Sequence, residues 1–317
     1  MSNIGIITRK TNDFYYSNIL KSIHAAIHQK GHKMFVFCID DKFIPERSIN
    51  AIIAQENING WIVLPRSNNS YLDILKKCSK NIVYLDNNYK EEYLVLPKYE
   101  NSGGMAAEHL IEHEYKNIIF MGNLDNHREK LMFFGFKKVL KKNNLYNEDL
   151  IFDIKENNIE KLNLIIEKIN DDTINNNALF STNGIFTKNF ISKTNRYKLA
   201  IPGNVAIIGY CDYCKSNYDS KVSLLYNDFS SLGFEVVNLV VKKINSENIK
   251  EKTIVINDYI KIHNSCGCKE EFKNKIGNGI EIKNDSSYII KINNIMGEYS
   301  ANKNLIDLAL NIPFKYN

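Results

Sequence analysis

Apolar and polar positions alternate along the chain in blocks. Ile4-Gly5-Ile6-Ile7 is a short apolar run, and a polar loop from Thr8 to Asp13 follows it. After Phe14-Tyr15-Tyr16, residues Ile19, Leu20, Ile23, Ala26 and Ile27 recur at helical spacing. Gly31-His32 stops that pattern, and Met34 to Phe37 is a second apolar run. Strand, loop, helix, strand predicts two parallel strands joined by a crossover helix. In doubly wound sheets ligands sit at the carboxyl ends of such strands. The loop from Thr8 to Tyr15 is therefore expected to wall a cleft.

The alternation continues. Further strands are predicted at 60–64, 82–86 and 93–96, with helical patterns over 49–53 and 71–75. Asn101 or Ser102 is placed to cap a helix running through His109 and Ile111. A second series has strands at 117–122, 151–153, 178–182 and 205–210, with helices at 130–140, 162–169 and 186–192. Ser223 to Tyr226 is short and extended. Asp228 or Ser230 caps a long amphipathic helix to Ile244, and strands at 253–256 and 259–262 close the unit. Two such series predict an α/β protein of two lobes, each a mostly parallel sheet flanked by helices, with a hinge of several crossings. The expected division is 1–114 plus 227–248 for lobe 1, and 115–226 plus 249–268 for lobe 2. Residues 269–317, rich in Lys and Asn, are expected to be an extension or linker stub, with a weak strand at 287–292 and a short helix at 304–310.

Composition changes this picture little. The 317 residues are 44% hydrophobic and 24% charged, with net charge +5 and no dense basic block, so nothing points to nucleic acid. No apolar run is long enough to span a bilayer, and no leader pattern precedes the first strand. Six cysteines at this length do not make a disulfide framework, and a reducing, cytoplasmic setting fits them.

Several strings, in this order and spacing, resemble the effector-binding core of the LacI/GalR repressors. That core has a periplasmic-binding-protein-like fold. Ile4 to Ile7 with Asn12-Asp13-Phe14-Tyr15 is similar to the family's first strand and Asn-Pro-Phe-Phe loop. Ile58 to Ile62 resembles its third strand, and Glu108 to Gly122 the helix and strand at the first crossing. Ile201 to Tyr210 resembles its Val-Pro-x-Asp-Val-Ser-Val-Val-Gly-Phe string. Ser265-Cys266-Gly267 resembles the end of the core. The likeness covers about residues 3 to 268.

The resemblance implies a ligand cleft lined by Phe14, Tyr15, Asp86, Met132, Asn183, Cys211, Asp212 and Asn227. It also implies a small-molecule effector, a homodimer along both lobes, and an output domain absent or on another chain. With strand one at residue 4, no helix-turn-helix is expected to let this chain contact DNA. Met132 stands where the family carries an Arg, Cys211 replaces an Asp, and Pro97-Lys98 replaces an Asp-Asn pair. An unmatched buried hydroxyl costs ~1–3 kcal/mol, so the expected ligand is flatter or less polar than a sugar.

Other groups suggest less. Trp61 lies within a strand and is expected in the core. Ser102-Gly103-Gly104 could hold an anion, but helix entry is the simpler reading. His24, His28 and His32 read as an exposed helix face. Cys211-x-x-Cys214 with Cys266-x-Cys268 could make a four-thiolate site, yet Cys-x-Cys lacks zinc-knuckle spacing. No metal, cofactor or membrane contact is expected. No nucleophile with its base is visible, so no enzyme is expected. The alternative is an extracytoplasmic solute-binding protein of a transporter.

Overall fold

The structure is a computed structural model that describes residues 1–11, 14–38, 57–64, 69–86, 93–155, 160–170, 176–211, 222–268, 275–276 and 280–281. Residues 1–279 form one compact unit and residues 280–317 a second, of which Ile280–Glu281, in strand conformation, are described. The expected helix at 49–53 and the expected tail elements at 287–292 and 304–310 lie outside the described residues.

The first sheet contains β1 (Asn3–Thr8), β2 (Lys33–Cys38), β3 (Gly60–Val63), β4 (Ile82–Leu85), β5 (Leu94–Pro97) and β11 (Thr253–Ile256). Its order is β11-β5-β4-β3-β1-β2, with every pairing parallel. On one face lie α1 (Phe14–Gln29) and α7 (Phe229–Ile244), burying Ile19, Ile23, Val236 and Val240 against Ile4, Ile6 and Ile62. On the other lies α2 (Asn69–Cys78), with Leu72 and Leu75 packed on Trp61 and Tyr84. Trp61 is a core residue, as its strand position predicts.

The second sheet contains β6 (Asn117–Gly122), β7 (Ile151–Asp153), β8 (Asn177–Ser181), β9 (Val205–Tyr210), β10 (Ser223–Tyr226), β12 (Tyr259–Lys261) and β13 (Lys275–Ile276). It runs β13-β12-β10-β9-β8-β6-β7. Pairing is parallel from β10 to β7 and antiparallel where β12 returns beside β10 and β13 beside β12. Helices α3 (Tyr99–Glu112) and α4 (His127–Lys142) cover one face. Helices α5 (Lys161–Ile169) and α6 (Gly184–Arg196) cover the other. Strands buried on both faces read as continuous apolar runs, which is why Val205 to Tyr210 is legible from sequence.

The chain crosses between sheets three times, at 97–99, 226–229 and 256–259. Two expected boundaries therefore move. Helix α3 belongs to the second lobe, because Tyr99, Ala106 and Leu110 pack with Phe136 and Phe180. Strand β11 belongs to the first, because it pairs with β5. The crossings lie near 98 and 257, not at 114 and 248.

Helix α3 also starts earlier than expected. It begins at Tyr99 with Lys98 at the cap, so Ser102-Gly103-Gly104 lie inside it. They serve a helix crossing. A Cβ on Gly103 would stand 1.8 Å from the Met132 carbonyl oxygen, and one on Gly135 1.7 Å from that of Glu100. Only hydrogen at both positions lets the two backbones approach so closely.

Candidate functional site

The candidate site is the interlobe cleft and the hinge beneath it. Phe14 is half-buried at the start of α1 and meets Phe229 edge-on, ring centroids 6.1 Å apart. It packs on a small cluster of second-lobe residues, Cys211, Val222 and Leu224. Tyr15 is more enclosed than a stacking platform would be. It lies among first-lobe core residues, and its hydroxyl donates to Asp86 Oδ2 at 2.8 Å. Tyr99, at the first crossing, donates to the same oxygen at 2.7 Å. Burial, and after it the charge of Asp86, holds both phenols well above their ordinary pKa.

A second carboxyl organises the hinge itself. Asp258 lies between β11 and β12, in the third crossing, and is 1% exposed. It accepts from Ser102 Oγ at 2.5 Å, from Asn227 Nδ2 at 3.0 Å and from Tyr210 Oη at 3.2 Å. Ser102 stands just past the first crossing and Asn227 in the second, so one side chain ties all three together. Burial raises the Asp258 pKa to about 7, and the three hydrogen bonds oppose that rise. Tyr226 and Tyr259 stack across the second and third crossings at 5.5 Å.

The other sequence-predicted residues fall in three groups. Asn183 and Asn227 follow the carboxyl ends of β8 and β10. Asn183 caps α6, its Oδ1 accepting from Ile185 N at 2.9 Å and Phe186 N at 3.3 Å. Asn227 Oδ1 is buried without a hydrogen-bond partner among the described residues. Met132 is fully buried in the core of the second lobe, and its carbonyl forms the close crossing with Gly103, so it is a packing residue rather than a wall of the cleft. Cys211 is fully buried and disulfide-bonded, which removes it from any four-thiolate site. Asp212 and Cys214 lie outside the described residues.

Sequence reasoning missed Asp258, Tyr99, Tyr210 and Arg128. Arg128 lies in the first turn of α4, one turn before Met132, with its guanidinium 5.4 Å from the Tyr210 ring centre. It is one of five arginines in the chain. That scarcity, with the capping Asn126 just before it, was the available signal.

Two mostly parallel sheets, each sandwiched by helices and joined by three crossings over a polar hinge, define a bilobal ligand-binding core. Comparison with known proteins gives its family. A model described as periplasmic binding protein-like domain matches residues 107–266, about half of the sequence, and the chain belongs to that family.

Among similar curated proteins is the HTH-type transcriptional repressor PurR of Haemophilus influenzae. It is 25% identical over 253 residues, covering 76% of this chain and 74% of that protein. The PurR of Histophilus somni is 26% identical over 265 residues, covering 80% and 78%. Among solved structures, a LacI-family regulatory protein from Chloroflexus aggregans superposes with a TM-score of 0.70 at 16% identity, covering 83% of this chain and 98% of that one. The transcription regulator CcpA of Lactococcus lactis gives 0.68 at 16% identity, covering 84% and 99%. These structures share the fold.

Proposed function

We propose that this chain is the effector-sensing core of a transcription regulator, binding a small molecule in the interlobe cleft. The observation that carries the reading is the Asp258 network, which ties all three crossings of the hinge. A ligand bridging the lobes would bias that hinge toward its closed state by population shift. The likeness to transcriptional repressors favours a regulator over a transporter's binding protein. No helix among the described residues is long and apolar enough to cross a membrane.

Phe14, Asn183 and Asn227 would meet the ligand, joined by Arg128 as the cation that the Met132 position lacks. Phe14 offers an aromatic edge and Asn227 a carbonyl oxygen. Few hydroxyl-matching groups surround them, so the effector is flatter and less hydroxylated than a sugar, with an acceptor or anionic group for Arg128. The core works as a cytoplasmic homodimer without enzymatic turnover, and its output module is a part other than residues 1–268.

Native mass spectrometry of the chain with a metabolite panel tests this. The expected result is one specific adduct, raising the melting temperature and weakened at least about tenfold in Arg128→Ala or Asn227→Ala, the loss of one good polar contact. A panel that binds nowhere, or an adduct indifferent to both variants, overturns the cleft assignment. A dimer by sedimentation is expected, and a monomer at all concentrations overturns that part.

A further inference from the structure

Away from the cleft, at the far end of α3, four metal-ligating side chains converge. His109 lies in the last turn of α3, and His113, four residues on, is the C-cap of the helix. Facing them is the short turn that follows β12, Asn264–Cys266, with Gly267 and Cys268 after it. His109 Nε2 is 3.2 Å from Cys266 Sγ and 3.5 Å from Cys268 Sγ, and His113 Nε2 is 2.9 Å from Cys268 Sγ. One ligand atom from each of the four fits within a span of 4.8 Å. It is the one such group among the described residues.

We propose that His109, His113, Cys266 and Cys268 bind a single zinc ion that fastens the end of the core to α3. Zinc bonds of ~2.3 Å to sulfur and ~2.0–2.1 Å to nitrogen, at tetrahedral angles, put neighbouring N and S atoms ~3.5 Å apart. The observed N···S separations of 2.9–3.5 Å lie at or just inside that spacing. Two imidazoles and two thiols are the borderline-soft donors that zinc takes, and four protein ligands close the shell. His109 is 5% exposed, Cys266 0% and Cys268 8%, as a structural site requires.

The surroundings are built to present those atoms. Gly267 has φ +92, a conformation that favours glycine, and it turns the chain so that both cysteines face α3. Ser223 Oγ, from β10, donates to Cys266 Sγ at 3.1 Å, as an outer-shell partner orients a thiolate. Histidines spaced as His-x-x-x-His fit structural zinc sites, whereas Cys-x-Cys is tighter than usual. The cysteines alone therefore give a weak signal, since their partners lie more than 150 residues away along the chain.

The same groups could instead be satisfied by hydrogen bonds among themselves and from Cys266 Sγ to the His263 carbonyl oxygen at 3.2 Å. Thiols are weak donors, and two imidazoles sharing two of them would bury four polar atoms with poor mutual complement. Zinc binding would displace the thiol protons and gain folding free energy, because the unfolded chain holds no such site.

The full-length chain, stripped with a chelator and refilled with zinc chloride, should hold one zinc after desalting and melt at a higher temperature. Cobalt(II) in its place should give tetrahedral visible bands and thiolate charge transfer. His113→Asn and Cys268→Ser should weaken binding more than about 100-fold, the upper range for losing an outer-shell partner. Cys38→Ser and Cys78→Ser, at exposed thiols, should leave it unchanged. X-ray absorption of the zinc-loaded wild type needs no variant and should show two sulfur and two nitrogen neighbours. A shell of oxygen and nitrogen alone, zinc retained equally by Cys268→Ser, or no bound zinc overturns the proposal.

Discussion

In its first turn, helix α3 sets Tyr99 and Ser102 against the carboxyl groups of Asp86 and Asp258. Two turns further on, it sets His109 and His113 against the sulfurs of Cys266 and Cys268. Both clusters are buried and polar, and both join α3 to a distant part of the chain. At the hinge, Asp86 meets two hydroxyl donors and Asp258 two hydroxyls and an amide, so the protein itself supplies partners for both carboxyl groups. At the far end, all four side chains offer ligand atoms, and the group they complement is a cation. Polar burial matched from within suits a hinge that must reorganise. Donors converging on one point suit a fixed fastening.

Both clusters depend on α3 being seated as one rigid piece, and Gly103 is where to break that seat. Gly103→Val would drive a branched side chain into the Met132 carbonyl, where even a Cβ stands at 1.8 Å. We expect a loss of at least about 5 kcal/mol, or no folded protein, by urea denaturation. Gly104→Ala, whose added Cβ meets nothing closer than 3.5 Å, should be tolerated and can gain up to ~1 kcal/mol of helix propensity. Equal damage from both would mean that α3 and α4 do not depend on close approach.

A smaller effect sharpens the hinge side. Asp258 has a folded pKa raised to about 7, above its ordinary 3.8, so the folded chain holds a proton that the unfolded chain releases. Its contribution to stability is full below pH ~4 and is lost as pH rises through about 7. The swing is on the order of 4 kcal/mol, from about three pKa units at 1.36 kcal/mol each. Asp258→Asn removes the titrating group. The difference in unfolding free energy between wild type and variant should therefore shift by about 2.7 kcal/mol in the variant's favour between pH 5 and pH 8, the two pKa units of the swing that lie between pH 5 and about 7. A pH-independent difference would mean that Asp258 is ionised throughout.

Much of the fold is legible in the sequence because fully buried strands leave apolar runs, as at Val205 to Tyr210, and bounded helices leave capping residues, as at Asp228. The crossings are harder to read. Helix α3 looks like a continuation of the first lobe until its packing on Phe136 and Phe180 is seen, because periodicity reports a face and not its partner. The site is the least legible part. Asp258 sits between two short strands with nothing local to mark it, and its partners are 31 to 156 residues distant. Met132 stands at the family's arginine position, whereas the cation on that helix, Arg128, stands one turn earlier. Cys266-x-Cys268 was visible, but its histidines were not, since no sequence pattern joins α3 to the end of the core.

The finest distinction lies within the hinge, where Tyr15 and Tyr99 donate to one oxygen of Asp86. Tyr15 and Asp86 both belong to the first lobe, so that bond is internal to it. Tyr99 begins α3, so its bond joins the second lobe to the first. Replacing either by Phe removes one hydrogen bond to a carboxylate, ~1.5–3 kcal/mol at most, and less here because the other donor remains on the same oxygen. We expect each variant to cost about 1 kcal/mol and the pair to cost more than the sum, a coupling that a double-mutant cycle measures. Tyr99→Phe alone should change how far a bound effector closes the lobes, read by small-angle scattering, because it loosens a link that closure must carry. If Tyr15→Phe alters closure equally, the two bonds act as one unit, and the carboxyl of Asp86 is itself part of the moving hinge.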